Sequence, residues 1–290
     1  MKFSSPAADA FVPDGSPVTA ALARTTHLCI AAHQDDIEIM AYHGIAECHG
    51  SAERWFTGVV VTDGSGSPRA GKFSNHTDRR MKAARREEQR AAAKIGKYSA
   101  VLQLAHSSTV VKSAKSAAVR ADLLGIIQAT KAHTVYLHNP ADKHDTHVAV
   151  FLRSLEALRA LPKSKRPKQV YGCEVWRDLD WLVDADKQVL NASVNPKLAA
   201  ELVAVFQSQI AGGKRYDLAT AGRRLANATF HTSHATDKAT ALTWAMDLTP
   251  LVQDERLSVE KFTLGYIDRL RADVAARLRK FGGSVFPAKP

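Results

Sequence analysis

The stretch Ala32-His33-Gln34-Asp35-Asp36-Ile37-Glu38 decides how this chain is read. Before it stands the apolar run His27-Leu28-Cys29-Ile30-Ala31, a short buried strand by its composition. After it comes Ile39-Met40-Ala41-Tyr42-His43-Gly44-Ile45-Ala46, apolar enough for a packed helix. Strand, polar turn and helix make the unit in which ligands sit at the carboxyl ends of strands in an α/β sheet. Here the turn holds one imidazole and two adjacent carboxylates. Neighbouring like charges are costly unless a cation or a proton relieves them, and a divalent metal would do so. The competing reading is a helix N-cap, with Asp35 or Asp36 capping and acidic residues favoured at the positive end of the helix.

Working outward, Trp55 to Thr62 reads as a second buried strand, running into the loop Asp63-Gly64-Ser65-Gly66-Ser67-Pro68-Arg69-Ala70-Gly71. Thr77 to Ile95 is a long charged helix stopped by Gly96, its charge run reading as a solvated face. Strand Ala100 to Ala105, helix Ala114 to Lys131 and strand Thr134 to His138 follow. This alternation implies right-handed βαβ units and a mostly parallel sheet covered on both faces, a Rossmann-like three-layer α/β/α class. Residues 1 to 25 read as an N-terminal arm and 26 to 290 as one catalytic domain. The domain divides into a core, 26 to 168, and a C-terminal α/β subdomain, 169 to 290. In that subdomain the expected elements are a strand at Gln169 to Trp176 and a hairpin region from Trp181 to Asn191. Helices are expected over Pro196 to Gln209, Leu218 to Ala228 and Val259 to Phe281.

The strand at Thr134 to His138 leads into Asn139-Pro140-Ala141-Asp142-Lys143-His144-Asp145-Thr146-His147 and a helix from Val148 to Leu161. This is a second imidazole-rich turn, with His144 and His147 three apart so that both can face one side. If the two strands are neighbours, the turns converge. His33, Asp36 and His147 then form a two-histidine, one-carboxylate set with open positions, as a catalytic metal needs. Zinc is the default cation, and the same set suits Fe(II). Asp35 adjoins a ligand without having to be one, so it can take a proton from activated water. His144 can face the same cavity and stabilise or protonate what forms there. Arg69 and Lys72, near the loop after the second strand, suit an anionic or hydroxyl-rich part of a substrate.

Composition narrows the classes. Hydrophobic content of 45% and charged content of 24% are ordinary for a soluble globular protein, and no run is long enough to cross a membrane. The three cysteines, odd in number and far apart, suggest reduced thiols and a cytoplasmic protein. The net charge of +11 is spread out and comes with no nucleic-acid motif, so solvated surface explains it and no nucleic-acid partner is expected. Homo-oligomerisation is left open.

At this point the chain resembles the LmbE-like, or PIG-L-like, zinc-dependent N-acetylglucosaminyl deacetylases. Their first motif, Ala-His-x-Asp-Asp-x-Glu, stands here as Ala32 to Glu38, and their His-Pro-Asp-His as His144-Asp145-Thr146-His147. Arg85-Arg86-Glu87-Glu88 with Ala91-Ala92 and Ile95-Gly96 is similar to a third stretch, and Phe206-Gln207-Ser208-Gln209 to a late Ser-Gln pair. The resemblance implies metal ligation by His33, Asp36 and His147, Asp35 as general base, and His144 as the group that assists the intermediate. It implies hydrolysis of the acetyl amide of an N-acetylglucosamine-type sugar or its conjugate. Three departures stand out. Gln34 replaces a usual Pro, Asp145-Thr146 replaces Pro-Asp, and Tyr42-His43 stands where relatives often have Gly-Gly, implying a bulkier pocket wall. With Pro-Asp replaced, Asp142 or Asp145 is the candidate to orient His144. The rival readings are a metal-dependent hydrolase of another amide or a small phosphoester, and an idle sugar- or nucleotide-binding module. The absence of Gly-x-Gly-x-x-Gly after the first strand counts against the last.

Overall fold

The alternation of apolar runs and helices builds one eight-stranded mixed sheet in the computed structural model, which describes residues 1–282. Its strands are β1 (Asp9–Phe11), β2 (His27–Ala31), β3 (Phe56–Thr62), β4 (Ala100–His106), β5 (Thr134–His138), β6 (Gln169–Cys173), β7 (Gln188–Asn191) and β8 (Leu242–Asp247). They lie in the order β1-β4-β3-β2-β5-β6-β8-β7. The five strands from β4 to β6 are parallel, while β1, at one edge, and β8 run antiparallel to their neighbours.

Strand periodicity divides the core between the two faces. Leu28, Ile30, Val59, Val61, Val135 and Leu137 pack into one apolar layer. The alternate residues Cys29, Ala31, Phe56, Val60 and Tyr136 pack into the other. Both layers are covered by helices, which is the three-layer α/β/α arrangement expected. Gly58 shows how tightly the site-bearing helix seats on the sheet. A Cβ there would stand 2.7 Å from Ile37 Cδ1, so the buried Ile37 side chain would have to shift.

The order of winding positions the chemistry. From β2 the chain steps to β3 and β4 on one side, then returns to lay β5 on the other side of β2. The turns leaving β2 and β5 therefore diverge over a crevice at the carboxyl edge, the topological switch point where ligands of open α/β sheets bind.

Several expectations need correction. The N-terminal arm is integrated: β1 extends the sheet, and Asp9 takes Arg90 Nη2 and Nε at 2.5 and 3.0 Å. There is no hairpin at Trp181 to Asn191. β7 pairs instead with β8, a strand that the sequence reading did not assign. Ala245 and Asp247 are weak strand formers, and pairing with β6 and β7 decides the conformation there. The helix read from Pro196 to Gln209 breaks after Ala204 and resumes at Gln207–Ile210, and the helix after β5 begins at Asp145. The terminal helix spans Val259–Phe281 as expected. No helix among the described residues is long and apolar enough to cross a membrane.

Candidate metal centre and active site

The turn after β2 is held in a strained shape. Asp35 adopts φ +80°, a region that non-glycine residues enter only when their surroundings enforce it. Although it stands at the helix N-cap position, its side chain makes no capping hydrogen bond. Its Oδ2 accepts instead from Arg85 Nη1 at 3.1 Å, and its N–H donates to Gln89 Oε1 at 3.3 Å. The capping reading of Asp35 therefore fails on geometry. Arg85 also donates to the Gln34 carbonyl at 2.6 Å, and Gln34 Nε2 bonds Gln103 Oε1 at 3.1 Å. Gln34, where relatives have Pro, thus braces the arginine that faces Asp35. The long charged helix is not merely a solvated face, because Met81, Arg85, Gln89 and Ala92 form a buried stripe along it.

Asp36 lies at the centre of the site. Its Oδ2 accepts the His33 N–H at 2.8 Å and lies 3.2 Å from His33 Nδ1 and 3.3 Å from His147 Nε2. His33 Nδ1 and His147 Nε2 are themselves 3.2 Å apart. Three ligand atoms thus form a nearly equilateral triangle. Tetrahedral coordination at about 2.0–2.1 Å requires ligand atoms to be about 3.3–3.4 Å apart, so the donor set and its spacing fit zinc. The electrostatics agree. Burial opposes the charge of Asp36, yet His147, His33 and His138 hold its carboxyl well below the usual range. Burial also opposes charge on His147, but Asp36 and Asp142 push it up to about 9. A field that favours a proton on a buried imidazole favours a divalent cation beside it.

Asp142 places a carboxylate behind the second turn. Its Oδ2 lies 3.2 Å from His147 Nδ1 and its Oδ1 accepts the His144 N–H at 3.0 Å. It therefore orients His147, as a carboxylate behind a ligand histidine does. The His144 imidazole is set by Thr146 instead, whose N–H donates to Nδ1 at 3.2 Å. That leaves the His144 proton on Nε2, and burial lowers its pKa, so it is a neutral donor. Asp145 is exposed and orients neither ring.

Burial pushes the Asp35 carboxyl up to about 7, with Arg85 pulling against it and the charge of Asp36 adding to the rise. Glu38, the last residue of the opening motif, is fully buried, and burial raises it to about 8. Its Oε1 accepts from Tyr98 Oη at 2.7 Å and Gln89 Nε2 at 2.8 Å, while Oε2 has no partner. A carboxyl raised on folding holds its proton longer in the folded state, so its contribution falls as pH rises from about 4.5 to about 8. Glu38→Gln should lack that loss. Its melting temperature relative to the unaltered protein should rise steadily between pH 5 and 9, and a constant difference would refute the assignment.

Sequence reasoning missed His138, which ends β5 beneath the site. It is fully buried, stacks on His147 at 3.9 Å between ring centroids, and its Nε2 accepts the Ala32 N–H at 2.9 Å. Its signal was its place as the last residue of a strand aimed at the second turn. Arg85 was also missed as a site residue, although the spacing Met81, Arg85, Gln89 carried the buried period. Ser208, from the late Ser-Gln pair, bonds Glu88 through its N–H and hydroxyl at 2.6 and 2.5 Å, so the two resemblance stretches meet.

Two cavities meet at Asp35 and Asp36, with Trp176 and Tyr216 between them. The outer, of about 380 Å³, is lined by His33, His144, Ser65, Ser67, Ser108 and Gln209 among others. The inner, of about 280 Å³, runs under the helix Tyr216–Phe230. Arg69 and Lys72 line neither. Arg69 pairs with Asp78 at 2.5 Å, and the lysines at the outer cavity are Lys112 and Lys214. Tyr42 and His43 also lie off both cavities, so the bulkier wall expected there is not found. Tyr42 Oη bonds the Val194 and Asn195 carbonyls, and His43 bonds Tyr136 Oη.

Comparison with known proteins adds a family match over part of the chain. Residues 28–158 match the PIG-L family, GlcNAc-PI de-N-acetylase. The match spans both turns, and the resemblance drawn from their residues is borne out over that segment. No curated protein matches the chain. The fold is that of an N,N'-diacetylchitobiose deacetylase from Pyrococcus horikoshii, at TM-score 0.61 and 14% identity over 79% of this chain and 86% of that one. A deacetylase of teicoplanin biosynthesis is similar at TM-score 0.53 and 16% identity, over 76% and 97%. So is a 4-carboxy-2-hydroxymuconate hydratase from Pseudomonas putida, at TM-score 0.57 and 18% identity over 77% and 96%. One fold therefore carries more than one reaction among these neighbours, and the site must decide which.

Proposed function

We propose that this chain is a metal-dependent hydrolase that removes acetyl from an N-acetylglucosamine-type amino sugar or its conjugate. The observation that carries the reading is the triangle of His33 Nδ1, Asp36 Oδ2 and His147 Nε2, flanked by a carboxylate that is not part of it. His33, Asp36 and His147 would hold zinc, or Fe(II) in the same donor set. When bound, the cation supplies Lewis-acid polarisation of the acetyl carbonyl and acidifies water.

The chain's own residues supply the rest. Asp35 takes the proton of the attacking water, because it is buried and ionisable near neutrality. Arg85 holds its carboxylate in place and keeps it from rising further. His144, with its proton on Nε2, donates a hydrogen bond to the developing oxyanion, and Asp35 returns the proton taken from water to the leaving nitrogen. Asp142 fixes the ring of His147. Trp176 excludes water from one wall and gives an apolar face to a sugar ring. We take the substrate to be a small amino-sugar compound met in the cytoplasm. We place Arg69 and Lys72 outside its direct contacts and assign anionic contacts to Lys112 and Lys214.

A substrate panel tests this. N-acetylglucosamine conjugates should release acetate, while N-acetyl amino acids and phosphomonoesters should not be turned over. Phosphate release without acetate would support the phosphoester alternative instead.

A further inference from the structure

An amide has two sides, and two cavities meet at Asp35 and Asp36. The outer one is lined by serine hydroxyls, Gln209 and lysine, which suits the hydroxyls of a sugar. The inner one then receives the acyl side. Its walls are Ile39, Val175, Trp176 and Ala219, and its volume of about 280 Å³ is far more than the methyl of an acetyl group fills.

The inner cavity is also cationic at a defined place. Arg224 lines it and is buried. Arg224 Nη2 donates to the carbonyls of Glu38 at 2.8 Å and Ile39 at 3.1 Å. Its Cζ stands 4.8 Å from the centroid of Tyr42, and its Nε has no hydrogen-bond partner among the described residues. Arg223 and Lys143 line the same cavity, with Thr220 and Thr243 adding hydroxyls. Asp35 and Asp36 also line it, and so does Glu174, whose oxygens are held by other donors. Its Oε1 accepts from Asn227 Nδ2 at 2.6 Å and the Trp244 N–H at 3.1 Å, and its Oε2 from the Leu179 N–H at 3.1 Å. A buried guanidinium with a free donor beside apolar walls suits an oxyanion.

We infer that, beyond acetyl, the site accepts a longer acyl group that ends in a carboxylate, as in an N-succinyl amino sugar. The assignment rests on the amide-hydrolysis reading for which side of the bond each cavity takes. The reaction balances as a hydrolysis. Water oxygen bonds to the acyl carbon, the C–N bond breaks, its electron pair stays on nitrogen and is protonated, and the products are a dicarboxylate and a free amine.

The test is calorimetric binding of succinate and butanoate to the metal-loaded protein, since the two share length and one carboxylate. Succinate should bind roughly tenfold tighter or more, the worth of one charge-assisted hydrogen bond. Arg224→Gln should bring the ratio near one and Arg224→Lys should keep part of it. Thr220→Val, a milder change in the same cavity, should reduce it if Arg224→Gln does not fold. Equal wild-type affinities, or a ratio untouched by the variants that fold, would overturn the inference. Turnover separates it from the parent reading. N-succinylglucosamine should exceed N-butanoylglucosamine in kcat/KM, and equal values or a preference for butanoyl would also overturn it. A succinate preference lost in the variants, with no amide turned over, would uphold the anion cavity and remove amide hydrolysis.

Discussion

Asp35→Asn should lower the rate of acetate release by roughly 10²–10⁴-fold, the usual share of a general base. Asn keeps the size of the side chain and an oxygen for Arg85 Nη1, which now stands 3.1 Å from Asp35 Oδ2. It cannot accept a proton from water. Metal content should be unchanged, because Asp35 is not a corner of the ligand triangle. Folding should weaken without failing, since the buried Arg85 charge loses its counter-charge but keeps a hydrogen bond. Rate, metal content and melting temperature on this one variant separate chemistry from structure. Near-normal turnover with metal in place would remove Asp35 as the base.

His147→Ala and Asp36→Ala should each lose the metal and, with it, all measurable turnover. Each of these side chains is one of three corners, and a site of three protein ligands rarely survives on two. The two variants should differ in stability. Removing Asp36 also strips the acceptor of the His33 N–H and the negative charge beside three imidazoles, whereas removing His147 leaves a void against His138 and His144. Elemental analysis of the purified variants reads the loss. A full complement of metal in His147→Ala would show that the second turn is not a ligand turn.

The fold was legible because its parallel strands are buried on both faces and so read as unbroken apolar runs, bounded by turns and helices of ordinary length. The elements misread belong to the antiparallel rim. β1 and β8 are made by their partners rather than by their own propensity, and the expected hairpin failed because β7 pairs across the sheet with residues fifty positions later. In the site, the convergence of His33, Asp36 and His147 was readable because both turns leave neighbouring strands. What stayed hidden is orientation. Nothing in the order Asp142-Lys143-His144-Asp145-Thr146-His147 says that Asp142 serves His147 while a backbone N–H sets His144. Likewise Arg85 is one of many charges on its helix, and only the packing of that helix against the first turn shows that it faces Asp35. Arg69 and Lys72 drew attention by their place on the loop, but Arg69 is held by Asp78.

The most direct test of the central claim is acetate release from the best N-acetylglucosamine conjugate by metal-stripped protein titrated with zinc or Fe(II). The account predicts no release from the stripped protein, recovery with added metal, and saturation near one equivalent per chain. Undiminished release from protein shown to hold no metal would contradict it.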